Sequence, residues 1–150
     1  MIKNSILIKI VFTYLILSIS SGIAKETDYF DKGVNLFKKE KFDKSKIFFE
    51  KDIVFNPKSE KSYLYLAKIF NKTDSDGEQE VNLNNVLLLN PKNDEAIYML
   101  TILKIKQSNY KEAKRLIDTF VLVCRTLCSR TNEIQDSLSK LIPENEKEKN

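Results

Sequence analysis

The sequence predicts an all-α stacked array of three helix-turn-helix repeats closed by a final helix. Three observations predict it. First, positions recur at a fixed period: Pro57 and Pro91 stand 34 apart, and so do Gly33, Ala67 and Thr101, then Ser45, Gln79 and Ala113, then Phe49, Leu83 and Ile117. Phe42 and Tyr110 are two periods apart, at 68 residues. Second, turn signals recur with the columns, because each proline sits in an Asn-Pro pair (Asn56-Pro57, Asn90-Pro91). Third, no stretch alternates with period two for long enough to suggest a strand.

The elements follow in order. Helix pairs are predicted over 28–39 and 43–54, 60–71 and 78–89, and 94–106 and 110–124. Lys38, Lys39 and Lys106 lie at helix ends, where a cation complements the dipole. Pro57 and Pro91 fall in the turns between repeats, where a missing amide costs nothing. The polar stretch 72–77 (KTDSDG) is a turn and completes a formal glycosylation triplet, Asn71-Lys72-Thr73. Asp76-Gly77-Glu78-Gln79 reads as a capping box, with Asp76 as N-cap and Gln79 reaching back. Asn109-Tyr110-Lys111-Glu112 has the same form, and Asn93 precedes Asp94 and Glu95 as a further N-cap. Ser129 or Thr131 can cap a closing helix whose apolar residues Ile134, Leu138, Leu141 and Ile142 fall at helical spacing. Pro143 stops it, and the charged tail 144–150 is expected to be disordered.

The period and its residues resemble the tetratricopeptide repeat. With Pro57 as the closing proline, the first unit is 26–59; it has Tyr29 at the large aromatic site, Gly33 and Ser45 at the small sites, Phe42 at the second aromatic site and Phe49 at the bulky site. The second unit, 60–93, keeps Tyr63, Ala67, Leu83 and Pro91, but has Gln79 at a small site and Asp76 where an aromatic is usual. The third, 94–127, keeps Tyr110, Ala113 and Ile117 but has Arg125 in place of the proline. The resemblance covers roughly 100 of the 150 residues. It implies a right-handed superhelical array, residues 25–128, with residues 129–142 as the capping helix.

Composition removes most chemistry. There is no histidine, so the commonest general base and every Ser-His or Cys-His nucleophile pair are missing. Three glycines form no phosphate-cradling loop. The carboxylates lie among lysines on helix faces. No catalytic residue and no cofactor is expected. Cys124 and Cys128 are the only cysteines. They suit a structural disulfide if the helix ends between them; two reduced thiols and a thiol-redox pair are the alternatives. With no histidine they are too few to hold zinc, so no metal site is expected.

The N-terminus reads as a leader. Lys3 and Lys9 precede an uncharged apolar run, 10–19 (IVFTYLILSI), and Gly22 and Ala24 are small residues at −3 and −1 of a cleavage site after Ala24. Removing residues 1–24 leaves 126 residues, and the net charge falls from +4 to +2 because two lysines and no acids leave. That weak charge suits no nucleic acid. Export, with a periplasmic location, is the expectation. The alternative is an uncleaved anchor over residues 6–23, which makes the protein an inner-membrane-anchored accessory subunit facing the periplasm.

In the resembled family the first helix of each repeat lines a concave groove. Carried over by register, the partner-binding residues would be Phe30, Val34, Phe37 and Lys38, then Lys61, Leu64, Lys68, Asn71 and Lys72, then Glu95, Tyr98, Ile102 and Ile105. Such a surface, apolar at both ends with a basic centre, implies a protein or peptide partner and no small-molecule substrate. Lys68 and Lys72 would select an acidic group. The resemblance therefore implies a non-enzymatic interaction module or scaffold of the cell envelope.

Overall fold

In the computed structural model, residues 28–141 are described; the expected leader, the alternative anchor and the segment 142–150 with Pro143 lie outside the described residues. Helices α1 (Asp28–Lys38) and α2 (Phe42–Phe55) form the first hairpin. The second is α3 (Glu60–Lys72) with α4 (Asp76–Leu89), and the third is α5 (Asp94–Lys106) with α6 (Tyr110–Val123). A short 3-10 turn, Cys128–Arg130, leads into α7 (Thr131–Leu141), which covers α5 and α6. Each helix packs on its neighbours in sequence, so the array grows in one direction. No helix among the described residues is long and apolar enough to cross a membrane.

The recurring columns are the packing contacts. Gly33 lets α1 approach Phe49 of α2, whose ring is fully buried. Ser45 donates its hydroxyl to the Gly33 carbonyl at 2.8 Å, which satisfies a small polar residue in the same crossing. Ala67 with Leu83, and Thr101 with Ile117, stand at the equivalent positions of the next two hairpins, all buried. Each fully buried aliphatic or aromatic side chain stabilises the array by about 1.5–3 kcal/mol. The interior forms two clusters. Phe49, Leu66 and Ile69 gather the aromatic residues of α1 and α2, and the larger cluster runs from Ala67 to Leu138.

Turns recur as strictly as helices. Glu40, Asp74 and Ser108, one repeat apart, adopt φ of 55°, 52° and 58°. At each one the chain leaves the first helix of a hairpin. The amides of Lys41, Ser75 and Asn109 then bond back to the carbonyls of Leu36, Phe70 and Lys104 at 2.9–3.0 Å, closing the helix end. Between repeats, an acid at the start of one hairpin holds the turn that ends it. Glu60 accepts the side-chain amides of Asn90 (3.0 Å) and Asn93 (2.5 Å). Asp94 accepts the backbone amides of Arg125 (2.9 Å), Thr126 (2.7 Å) and Leu127 (3.2 Å), in the one closing turn without a proline.

Two N-caps form where their sequences predict, Asn93 accepting from the Ala96 amide at 2.8 Å and Asn109 from the Glu112 amide at 3.3 Å. The reciprocal half of the Asn109 box does not form: Glu112 binds Arg115, and the Asn109 amide bonds to the Lys104 carbonyl. The box at Asp76 does not form. Helix α4 starts at Asp76 with Ser75 as N-cap and no side-chain cap bond. Gln79 is 3 % exposed, since it occupies a packing column, and Asp76 instead accepts a bond from Lys106 at 2.8 Å. At the closing helix, Thr131 donates its hydroxyl to the Cys128 carbonyl at 2.8 Å.

Candidate functional site

The first helices of the three hairpins present two sets of equivalent positions: Phe30, Leu64 and Tyr98, then Val34, Lys68 and Ile102, each one repeat apart. Only Ile102 is exposed, at 37 %; the other five are half-buried, so they serve as both wall and surface.

The α1 end is an aromatic shelf. Phe30 and Phe37 stand edge-on to Tyr65 of α3, with centroids 5.7 and 5.2 Å away, and Tyr65 stacks on Phe49 at 4.9 Å. Phe37 also meets Phe42 at 5.5 Å. Such edge-to-face and offset pairs add roughly 0.5–1.5 kcal/mol beyond their buried area. Phe30, Val34 and Phe37 are therefore shared between the fold and the face. Tyr65 escapes sequence reasoning because it falls in no column: its equivalents are Asp31 and Met99.

The basic centre is partly satisfied from within. Lys68 pairs with Glu95 of the next repeat at 2.8 Å, and its ammonium lies 5.0 Å from the Tyr65 ring centroid. Asn71 and Lys72, at the end of α3, are exposed and have no side-chain hydrogen bond or ion pair among the described residues. Lys61 lies over the Phe30 ring at 5.8 Å, and Lys38 is exposed. Ile105 is buried and does not line the face.

Tyr98 closes the other end. Its ring packs on Phe120 at 6.2 Å, its hydroxyl donates to Glu133 of α7 at 3.1 Å, and the Arg130 guanidinium lies 5.9 Å away over the ring. Burial, then the bond to the Glu133 carboxylate, pushes its phenol pKa up. The closing helix thus supplies polar groups to this end of the face.

A second cleft, of about 560 Å³, lies between α4, α5 and α6. Four of its charged side chains pair, Lys104 with Glu80 at 2.6 Å and Arg115 with Glu112 at 2.6 Å, and Lys111 lines it as well. The hydrogen bond from Lys104 holds the Glu80 carboxyl below its ordinary pKa. None of the predicted face residues lines it. At the end of α6, the sulfurs of Cys124 and Cys128 lie at disulfide distance, with the Cα atoms 5.3 Å apart. Helix α6 ends at Val123, so the turn brings the two cysteines together.

No protein-family model matches the sequence, and no curated protein matches it. Solved structures do. The tetratricopeptide-repeat domain of Arabidopsis OM64 superposes with a TM-score of 0.69 at 19 % identity, covering 76 % of this chain and 93 % of that one. The first such domain of Spaghetti (RPAP3), solved with an HSP90 peptide, superposes at 0.68 with 18 % identity over 75 % of this chain and 90 % of that one. A tetratricopeptide repeat protein from Parabacteroides merdae superposes at 0.71 with 17 % identity; the match covers 85 % of this chain and 50 % of that one. The chain therefore has the tetratricopeptide-repeat fold, three helical hairpins and a capping helix.

Proposed function

We propose that this tetratricopeptide-repeat array is a protein-interaction module of the cell envelope. On this reading the chain is exported, with the leader removed after Ala24, and it holds a segment of a partner protein against the face of α1, α3 and α5. The observation that carries the reading is the recurrence of Phe30, Leu64 and Tyr98, and of Val34, Lys68 and Ile102, along one face of three stacked helices. The Spaghetti domain, similar in fold, was solved with a peptide bound, which supports the same use here.

The chemistry of the face specifies the segment. Asn71 and Lys72 offer an amide and a cation to an acidic group. Ile102 and the edge of the aromatic shelf offer apolar contact on either side. Lys68 joins only by exchanging Glu95 for a carboxylate of the partner, so it discriminates by competition.

Selection of random peptides displayed against the full chain tests this. Enriched segments should carry an acid flanked by apolar residues. Their binding should fall with Lys72→Glu and with Ile102→Asp, and tighten with Glu95→Gln. Enrichment that ignores all three substitutions would sink the reading.

A further inference from the structure

A second surface lies on the edge where one repeat passes to the next. Val54, Leu88 and Leu122 occupy equivalent positions near the ends of α2, α4 and α6, one repeat apart, and are 74 %, 80 % and 84 % exposed. Every repeat thus leaves an apolar side chain in water at the same place, which packing does not require. Beside each stands a cation: Lys58, Lys92 and Arg125, three or four residues on. All three are exposed, and none makes a side-chain hydrogen bond or ion pair among the described residues. The acids of the same turns are occupied internally. Glu60 is bonded to Asn90 and Asn93, Asp94 to the amides of residues 125–127, and Glu95 to Lys68. Glu60 and Asp94 keep their charge but are tied back into the turns, and Asp118 stands exposed one turn before Leu122. What reaches outward from the turns themselves is therefore apolar groups with the cations Lys58, Lys92 and Arg125.

We propose that this edge rests on an anionic lipid surface. The three apolar side chains protrude instead of lining a pocket, which suits a deformable, planar partner more than a protein segment. Apolar side chains entering the headgroup region, with cations beside them at the phosphates, are how peripheral surfaces hold a bilayer. The chain also comes into the array at this edge: Tyr29, in the first turn of α1, stacks on Phe55 beside Val54 at 5.5 Å. The apolar run 10–19 precedes α1 by eight residues, 20–27, which reach at most roughly 26–29 Å. Where the leader is retained, it delivers the array to the bilayer edge first; where it is removed, the edge binds by itself.

The chain contains no tryptophan, so a single indole reports its own depth. The full chain carrying Leu88→Trp is mixed with phosphatidylcholine vesicles with and without phosphatidylglycerol, and compared with Lys44→Trp at the opposite end of α2. The expected result is a blue shift at position 88, and quenching there by lipid-borne bromine, on the anionic vesicles only, with position 44 unchanged. Adding Lys58→Glu, Lys92→Glu and Arg125→Glu should weaken partition about tenfold or more. No shift at position 88 overturns the proposal, even if the chain pellets with vesicles through residues 10–19. A shift that is equal on neutral vesicles, or that survives the three glutamates, overturns the anionic requirement. A shift without vesicles as protein concentration rises assigns the edge to contact between copies and also overturns it.

Discussion

Asp94 accepts both the amide and the hydroxyl of Thr126, at 2.7 and 2.9 Å, and so joins the first residue of the third repeat to the turn that ends it. The third repeat has Arg125 where the first two have proline, and this carboxylate fixes the turn instead. Burial raises the Asp94 pKa, but the amides of Arg125, Thr126 and Leu127 and the Thr126 hydroxyl outweigh it and bring the pKa down to about 2.

A depressed folded-state pKa stabilises the protein above the unfolded value near 3.9, and that contribution is lost as pH falls. Acid titration followed by circular dichroism should therefore show the α6–α7 junction weakening between pH of about 4 and 2. Asp94→Ala should cost about 1–3 kcal/mol at neutral pH and flatten that dependence. An unchanged acid profile in the variant would reject this role.

Two glycine substitutions should act in opposite directions. A Cβ on Gly33 would lie 2.7 Å from the buried Phe49 ring, so Gly33→Ala should destabilise by about 1–3 kcal/mol. Ser108 has φ of 58°, a conformation glycine adopts without cost, so Ser108→Gly should stabilise by roughly 1 kcal/mol. Urea unfolding midpoints measure both.

Asp52 is 2 % exposed and accepts the hydroxyls of Ser59 and Ser62, each at 2.5 Å. Asp52→Ala would leave the Ser59 and Ser62 hydroxyls only each other, 3.1 Å apart, at the first inter-repeat turn and should cost about 2–4 kcal/mol. A double-mutant cycle with Ser62→Ala should show a coupling of about 1 kcal/mol or more. Strict additivity would show that the contact carries no energy.

Cys124 and Cys128 should give no free thiol in native, unreduced protein. A bridge closing so short a loop stabilises only modestly, so replacing both with serine should lower stability by about 1–2 kcal/mol. Two titratable thiols would show that the pair is reduced.

The helices were legible because their signals are local. Columns one period apart mark the packing positions, and Asn93 and Asn109 announce the starts they cap. The left-handed turns were not, since Glu40, Asp74 and Ser108 stand where glycine would have been the marker. Asp76 and Gln79 misled because a capping pattern and a packing column overlap, and burial of Gln79 prevailed. On the candidate face, register placed Phe30, Leu64 and Tyr98 together, but the Lys68–Glu95 pair spans two repeats and has no local signature. Lys104 is likewise buried beside Leu103 and Ile105 only because Glu80 of the preceding repeat meets it.

Helix α3 belongs to both interiors: Leu66 and Ile69 join the aromatic cluster, while Ala67 joins the larger one with Tyr63 and Leu64 packed against it. The wall between the clusters is thus one helix thick. Tension applied through the N-terminus would meet the aromatic cluster first, peeling away α1 and α2 as a unit while α3 stays seated on α4. Loss of the first hairpin would thus open the aromatic cluster while α3 still covers the larger one.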